Sequence, residues 1–346
     1  MSYTQIHVTN TGVGVITLNR EKSLHSLSFE MIQSIYDILL DWEVNESVRF
    51  VLLEGTGSKA FCAGGDIKEI YSYGATSVGL EKSKRFFDVE YTMDAIIANY
   101  SKPIIALMDG LVMGGGVGLS YGATYRVVTE KTKWAMPETA IGFFPDVGAG
   151  YFLNQTPHSI GMYLGLSGAV ISGADAIHIG TADFFVPSSS ITELRERLVT
   201  KTGSSEKDID QQVKECIESF STNPPKSELM QQALFIEKHF SLPSVKEIVG
   251  SLKRDRSQEA QALYQSFLRK SPVSLLVTYA HLRHTEKLKT YTEALDFDKK
   301  VAMQFMMCTD FYEGVRCLLI DKEAQPDYLY QTIEEVPADY VKAFIQ

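Results

Sequence analysis

Apolar and polar positions come in short blocks through the first 150 residues and then change rhythm. GVGVITLNR (12–20) and RFVLLEGTG (49–57) are compact runs rich in β-branched residues, and PIIALMDG (103–110) and YRVVTE (125–130) repeat the pattern. Each predicts a strand, and each ends in glycine or polar residues. Between the first two, SFEMIQSIYDILLDWEVN (28–45) carries its apolar residues at helical spacing. Such alternation predicts an α/β fold built from crossover units. From about residue 188 the chain turns to charged, amphipathic segments, 188–220, 227–240 and 245–270, separated by Ser/Pro breaks such as TNPPKS and SLPS. These predict helices. The expected organisation is a core over 1–190 and a mostly helical region over 191–346 packing on it.

Composition narrows the function classes. With 45% of 346 residues apolar, the chain can bury a substantial core. No apolar run approaches the roughly 20 residues that span a bilayer, and MSYTQIHVTN has neither a signal nor a transit pattern. The expected compartment is cytoplasmic, with the mitochondrial matrix open if a transit peptide has been removed. A net charge of −10 argues against non-specific nucleic-acid binding. Arg20, Lys22, Lys59 and Lys68 are candidates for a local patch that meets an anionic ligand. The four cysteines and seven histidines are scattered without metal-ligand spacing, so no metal is expected.

Two glycine-rich turns, FCAGGDIKEI (61–70) and DGLVMGGGVGLSYG (109–122), each fall between a β-like and a helix-like run. Backbone N–H groups at such a turn are open to an anion. Neither turn is a phosphate loop, which needs a lysine followed by Ser/Thr, and GGGVG is not the GxGxxG of dinucleotide binding. What remains is a pair of N–H donors for one oxygen, as at an enolate or a tetrahedral intermediate. Gly118-Leu119-Ser120-Tyr121-Gly122 matches GxSxG, but three glycines separate Ser120 from the preceding strand. Ser120 is therefore expected inside a helix and not on a nucleophile elbow.

The segment PETAIGFFPDVGAG (137–150) sets Glu138 and Asp146 eight positions apart around the apolar run AIGFF. A solvated glutamate and a capping aspartate would explain the pair without chemistry. Alternatively, Ile141, Phe143 and Phe144 raise the cost of charge and tune both acids for proton or acyl transfer.

Taken together, ITLNR, FCAGGDIKE, KPIIALMDGLVMGGG and MPETAIGFFPDVGAG resemble the crotonase (enoyl-CoA hydratase/isomerase) superfamily in order and spacing, over roughly the first 190 residues. The resemblance implies a crotonase-like spiral of ββα units followed by the helical C-terminal region. It implies oxyanion donors at Gly65 and Gly115, with an acyl-CoA thioester oxygen between them, and CoA adenine contacts at Ala63, Asp66 and Ile67. Hydratases of the family carry a glutamate three positions after the second donor, where this chain has Gly118, and commonly a glycine where it has Asp146. That departure is similar to the 3-hydroxyisobutyryl-CoA hydrolase branch, as are SPVSLLVTYAHLRH (271–284) and DFYEGVRCLLIDK (310–322). The branch implies Glu138 as general base or nucleophile, Asp146 as hydroxyl contact or proton carrier, and Glu90 as a further substrate contact. His25-Ser26 departs from the family's more usual Asn-Ala. The resulting expectation is an acyl-CoA thioester hydrolase for which CoA is part of the substrate and no cofactor is needed. No nucleic-acid or membrane partner is expected, and homo-oligomer formation stays open. Enoyl-CoA hydration or isomerisation, and a non-catalytic binding protein, are the alternatives.

Overall fold

The computed structural model describes residues 3–201, 208–322 and 325–346. The four predicted strands form as β2 (Val13–Leu18), β3 (Phe50–Gly55), β5 (Ile104–Met108) and β7 (Tyr125–Val128). They join β1 (Thr4–Val8) and β10 (Phe184–Phe185) in a six-stranded sheet of order β1-β2-β3-β5-β7-β10. Among the described residues of this sheet, β1–β2 is the antiparallel pair and the others are parallel. Four shorter strands make a second sheet, β4 (Ala60–Cys62), β6 (Leu111–Met113), β8 (Lys133–Ala135) and β9 (Ile171–Ser172). Chain order explains the pairing of sheets. Each of β3, β5 and β7 is followed at once by a strand of the smaller sheet, and a helix follows after the first two of these pairs. This is the expected ββα repeat.

The predicted helix over 28–45 is α1 (Phe29–Val44), begun by Ser28, whose side chain accepts the Met31 N–H. Its buried face, Met31, Ile32, Ile35, Leu39 and Trp42, is the apolar stripe read from the sequence. Further on come α2 (Ile67–Tyr73), α3 (Ser77–Ala98) and α4 (Gly115–Tyr121).

The chain divides into two compact units whose stretches alternate along the sequence. The first comprises residues 1–65, 92–134 and 171–230, and the second 66–91, 135–170 and 231–346. Alternate residues Val13, Val15, Phe50, Leu52, Ile105, Leu107 and Val127 line one face of the larger sheet in the first unit. Leu194, Leu198, Val213 and Ile217, from the helices Ile191–Lys201 and Ile209–Glu218, pack on that face. Arg195 clamps Glu54 at the end of β3 with two bonds of 2.6 and 2.8 Å. The change of composition near residue 190 thus falls inside a stretch that shares the sheet's core.

In the second unit, described residues from 231 onward form helices, among them Pro272–Thr285, Tyr291–Met306 and Thr309–Val315. Among the described residues no helix is long and apolar enough to cross a membrane.

Candidate active site

In the first unit the two glycine turns meet backbone to backbone. Gly64 has φ 97°, a conformation open to glycine, and a Cβ there would lie 2.9 Å from Met113 O and 3.2 Å from Gly115 N. A Cβ on Gly116 would lie 2.4 Å from the Cys62 carbonyl oxygen. The approach therefore requires residues without side chains at both turns. Gly65 bridges to Leu27 in parallel register, and Leu27 N–H donates to Gly64 O at 2.8 Å. Gly115 is the first residue of α4, so its own N–H has no acceptor within the helix. Ala63 N–H donates to Leu24 O at 3.0 Å.

Ser120 lies in α4, buried, and its hydroxyl donates back to Gly116 O at 2.9 Å and Val117 O at 3.2 Å. It is committed to the helix backbone, as expected. One detail differs from the sequence reading, which ended the preceding strand near Asp109. The chain forms β6 over Leu111–Met113, leaving only Gly114 before the helix. His25 is likewise occupied, its Nδ1 accepting from Arg20 N–H at 2.9 Å and its Nε2 2.9 Å from Thr56 O. Asp66 caps α2, accepting from Glu69 N–H at 3.2 Å, and Ile67 begins that helix.

Glu90, Glu138 and Asp146 belong to the second unit, and each is buried. Glu138 starts a 3-10 turn (Glu138–Ile141), and Gly142 closes it in left-handed backbone. Phe143 and Phe144, in the apolar run between the acids, are core residues. Phe143 packs 5.2 Å from Phe305 and 5.6 Å from Phe311, ring centre to ring centre, and Phe144 5.4 Å from Phe305.

Glu138 is 7% exposed, and its Oε2 is buried with no hydrogen-bond partner among the described residues. Burial first, and the charge of Asp146 second, hold its carboxyl well above the usual carboxylate range. Asp146 is 6% exposed and is pushed up to about 7 by burial. A bond of 2.5 Å from the Tyr91 hydroxyl to Asp146 Oδ2 opposes that push by favouring the ionised form. A solvated glutamate is therefore excluded, and so is a capping aspartate, because the helix that follows (Ala149–Leu153) has Gly148 at its N-cap and no side-chain cap bond.

Two neighbours escaped the sequence reading. Tyr91 follows Glu90 on α3, and nothing local distinguishes it from the other tyrosines. Lys270 is 7% exposed and donates to Thr139 Oγ1 at 2.5 Å and Ser167 O at 2.9 Å. Burial draws it down to about 8, against the opposing charge of Glu138. Its one available signal was its place just before the helix start Ser271-Pro272. Among the described residues no cluster of His, Cys, Asp and Glu is arranged to hold a metal ion.

A sequence profile described as enoyl-CoA hydratase/isomerase matches residues 13–345. The 3-hydroxyisobutyryl-CoA hydrolase, mitochondrial, of Danio rerio is 40% identical over 329 residues, covering 95% of this chain and 85% of its own. The small ribosomal subunit protein mS47 of Neurospora crassa is 37% identical over 342 residues, 93% of this chain and 67% of that one. A crystal structure of a carnitinyl-CoA dehydratase from Mycobacterium thermoresistibile superposes with a TM-score of 0.92 at 35% identity, covering 100% of this chain and 97% of that one.

Proposed function

The chain belongs to the enoyl-CoA hydratase/isomerase family, and from that premise we propose that it hydrolyses a short, branched 3-hydroxyacyl-CoA thioester. The substrate we assign is 3-hydroxyisobutyryl-CoA, converted to 3-hydroxyisobutyrate and CoA as a step of valine breakdown. The name of the Danio rerio relative supports this substrate and extends the proposal to a mitochondrial location. The observation that carries the reading is Asp146, buried beside a second buried acid and bonded to Tyr91. A hydratase of this family would need a carboxylate where this chain has the buried Gly118.

In the proposed mechanism the N–H groups of Gly65 and Gly115 take the thioester oxygen as it gains charge. Ala63, Asp66 and Ile67 meet the CoA adenine, and Glu90 meets the acyl part. Glu138 either removes a proton from the attacking water or attacks the carbonyl itself, expelling CoA thiolate and leaving an anhydride that water then cleaves. Asp146 binds the 3-hydroxyl or carries the proton to the thiolate. CoA enters as part of the substrate, and no further cofactor is invoked.

Glu138 must be ionised for either route, and its carboxyl lies above the ordinary range, with Asp146 near 7. Protonation removes the base or nucleophile, so activity falls as pH falls. The acidic limb of the kcat/KM profile should therefore stand well above the ordinary carboxylate range, as a property of the pair. Initial rates between pH 5 and 9 check this, and a limb near 4.5 would contradict it.

The acyl assignment is tested by thiol release from 3-hydroxyisobutyryl-, 3-hydroxypropionyl- and acetyl-CoA. The first should be the best substrate, and a preference for acetyl-CoA would overturn the assignment. The relationship to mS47 favours a second reading, in which the fold serves assembly and not turnover. Absence of thiol release from all three esters would support that reading.

A further inference from the structure

Asp146 is followed by two residues in left-handed backbone, Val147 at φ 50° and Gly148 at φ 75°. Glycine accepts this region, whereas a β-branched valine is an outlier there. Such strain persists only where the surroundings over-determine it, and it gathers at functional sites. Here the surroundings are three buried side chains from two helices of the same unit. Asp298 Oδ2 accepts Gly148 N–H at 2.7 Å, and the Tyr291 hydroxyl donates to Val147 O at 2.9 Å. The Tyr291 ring also closes on the turn, since a Cβ on Gly148 would lie 2.1 Å from a ring carbon.

Asp298 is held in turn. Its Oδ1 lies 2.6 Å from His281 Nε2, and both residues are fully buried. His281 Nδ1 is buried with no hydrogen-bond partner among the described residues. That pattern fits the tautomer with hydrogen on Nε2, donated to Asp298, because Nδ1 then carries only a lone pair. Asp298 thus has one oxygen for the turn and one for the histidine. Neither interaction involves solvent.

We propose that Asp298, His281 and Tyr291 are positioning residues that lock the Val147–Gly148 turn and so aim the Asp146 carboxylate. With the turn locked, Asp146 keeps its bond to Tyr91 and presents its free edge to the 3-hydroxyl of the acyl chain. This assignment rests on the thioester-hydrolase reading for its consequence in catalysis, but the locking itself does not.

Two variants test it, Asp298→Asn and Tyr291→Phe. Asparagine keeps the size of Asp298 but can accept only one of its two donors, so either Gly148 or His281 faces an amide NH2. Phenylalanine removes a single hydroxyl and keeps the ring against Gly148. For each, kcat/KM is measured on 3-hydroxyisobutyryl-CoA and on isobutyryl-CoA, and the crystal structure of the variant is solved. Asp298→Asn should lose about 10-fold more on the hydroxylated ester than on the deoxy ester, within what weakening one hydrogen bond between Asp146 and the hydroxyl can cost. Tyr291→Phe should show the same bias at smaller amplitude, and it carries the test if Asp298→Asn fails to fold. In the structures Val147 should leave the left-handed region and the Tyr91–Asp146 bond should lengthen. An unchanged turn in both variants, or equal losses on the two esters, would overturn the proposal. If the wild-type protein cleaves neither ester, the hydrolase reading fails, and the structural arm alone then decides whether these residues hold the turn.

Discussion

Replacing Glu138 by glutamine should lower kcat for thioester hydrolysis by about 10²–10⁴-fold, the usual contribution of a positioned proton-transfer group, with little change in binding of the CoA ester. The amide keeps the size of the side chain but has neither basicity nor a nucleophilic carboxylate. An interaction made only during the chemical step shows itself as a loss in kcat and not in KM. Stability separates this outcome from misfolding. Burial holds the Glu138 carboxyl well above its ordinary range, so its ionised form is disfavoured by the fold. An uncharged amide removes that penalty, and the variant should melt at the same temperature as wild type or higher. Stopped-flow thiol release and thermal melting on one preparation read both. Turnover near wild type would remove Glu138 from the mechanism.

The second large effect is expected at Asp146, and it is one of selectivity. If Asp146 reads the substrate hydroxyl, Asp146→Ala should harm 3-hydroxyisobutyryl-CoA more than isobutyryl-CoA. The difference should be about 1.5–3 kcal/mol, the value of a hydrogen bond to a charged group, or roughly one to two powers of ten in kcat/KM. The fold adds a complication that must be controlled. Tyr91 is fully buried and donates to Asp146, so alanine leaves its hydroxyl without that acceptor. A buried unsatisfied polar group costs about 1–3 kcal/mol of stability. A lower melting temperature is therefore expected whatever Asp146 does for substrate, and only the ratio between the two esters is diagnostic. Asp146→Asn controls for it, because the amide oxygen still accepts from Tyr91 while the charge is lost. Equal losses on both esters in both variants would leave Asp146 a structural group or a general proton carrier.

The strands of four to six residues buried at nearly every position, β2, β3, β5 and β7, were legible because their apolar runs exceed what a turn can hold. So was α1, with its Ser28 cap and regular stripe. The smaller sheet was not, since strands of two or three residues such as β6 and β9 carry no period. β1 was missed for a different reason: its one fully buried residue is the polar Thr4, Ile6 is half-buried and Val8 is exposed, which blurs its alternation. The two acids could be named from sequence through the apolar residues between them and the family pattern. Their shared environment could not. Tyr91 lies 55 positions from Asp146, and Asp298 lies 150 positions from Gly148. Pairings over such distances leave no trace in local spacing. Lys270 is the plainest case, the last residue of the charged, amphipathic segment 245–270, which the fold buries against Thr139 and Ser167.

The central claim is that this chain cleaves thioesters and does not hydrate double bonds. The most direct measurement incubates the wild-type protein separately with 3-hydroxyisobutyryl-CoA and with crotonyl-CoA, following free thiol and enone absorbance in the same cuvette. Thiol released from the hydroxy ester, with the crotonyl enone unchanged, is the predicted result. Loss of the enone with no thiol released from either ester would contradict the account.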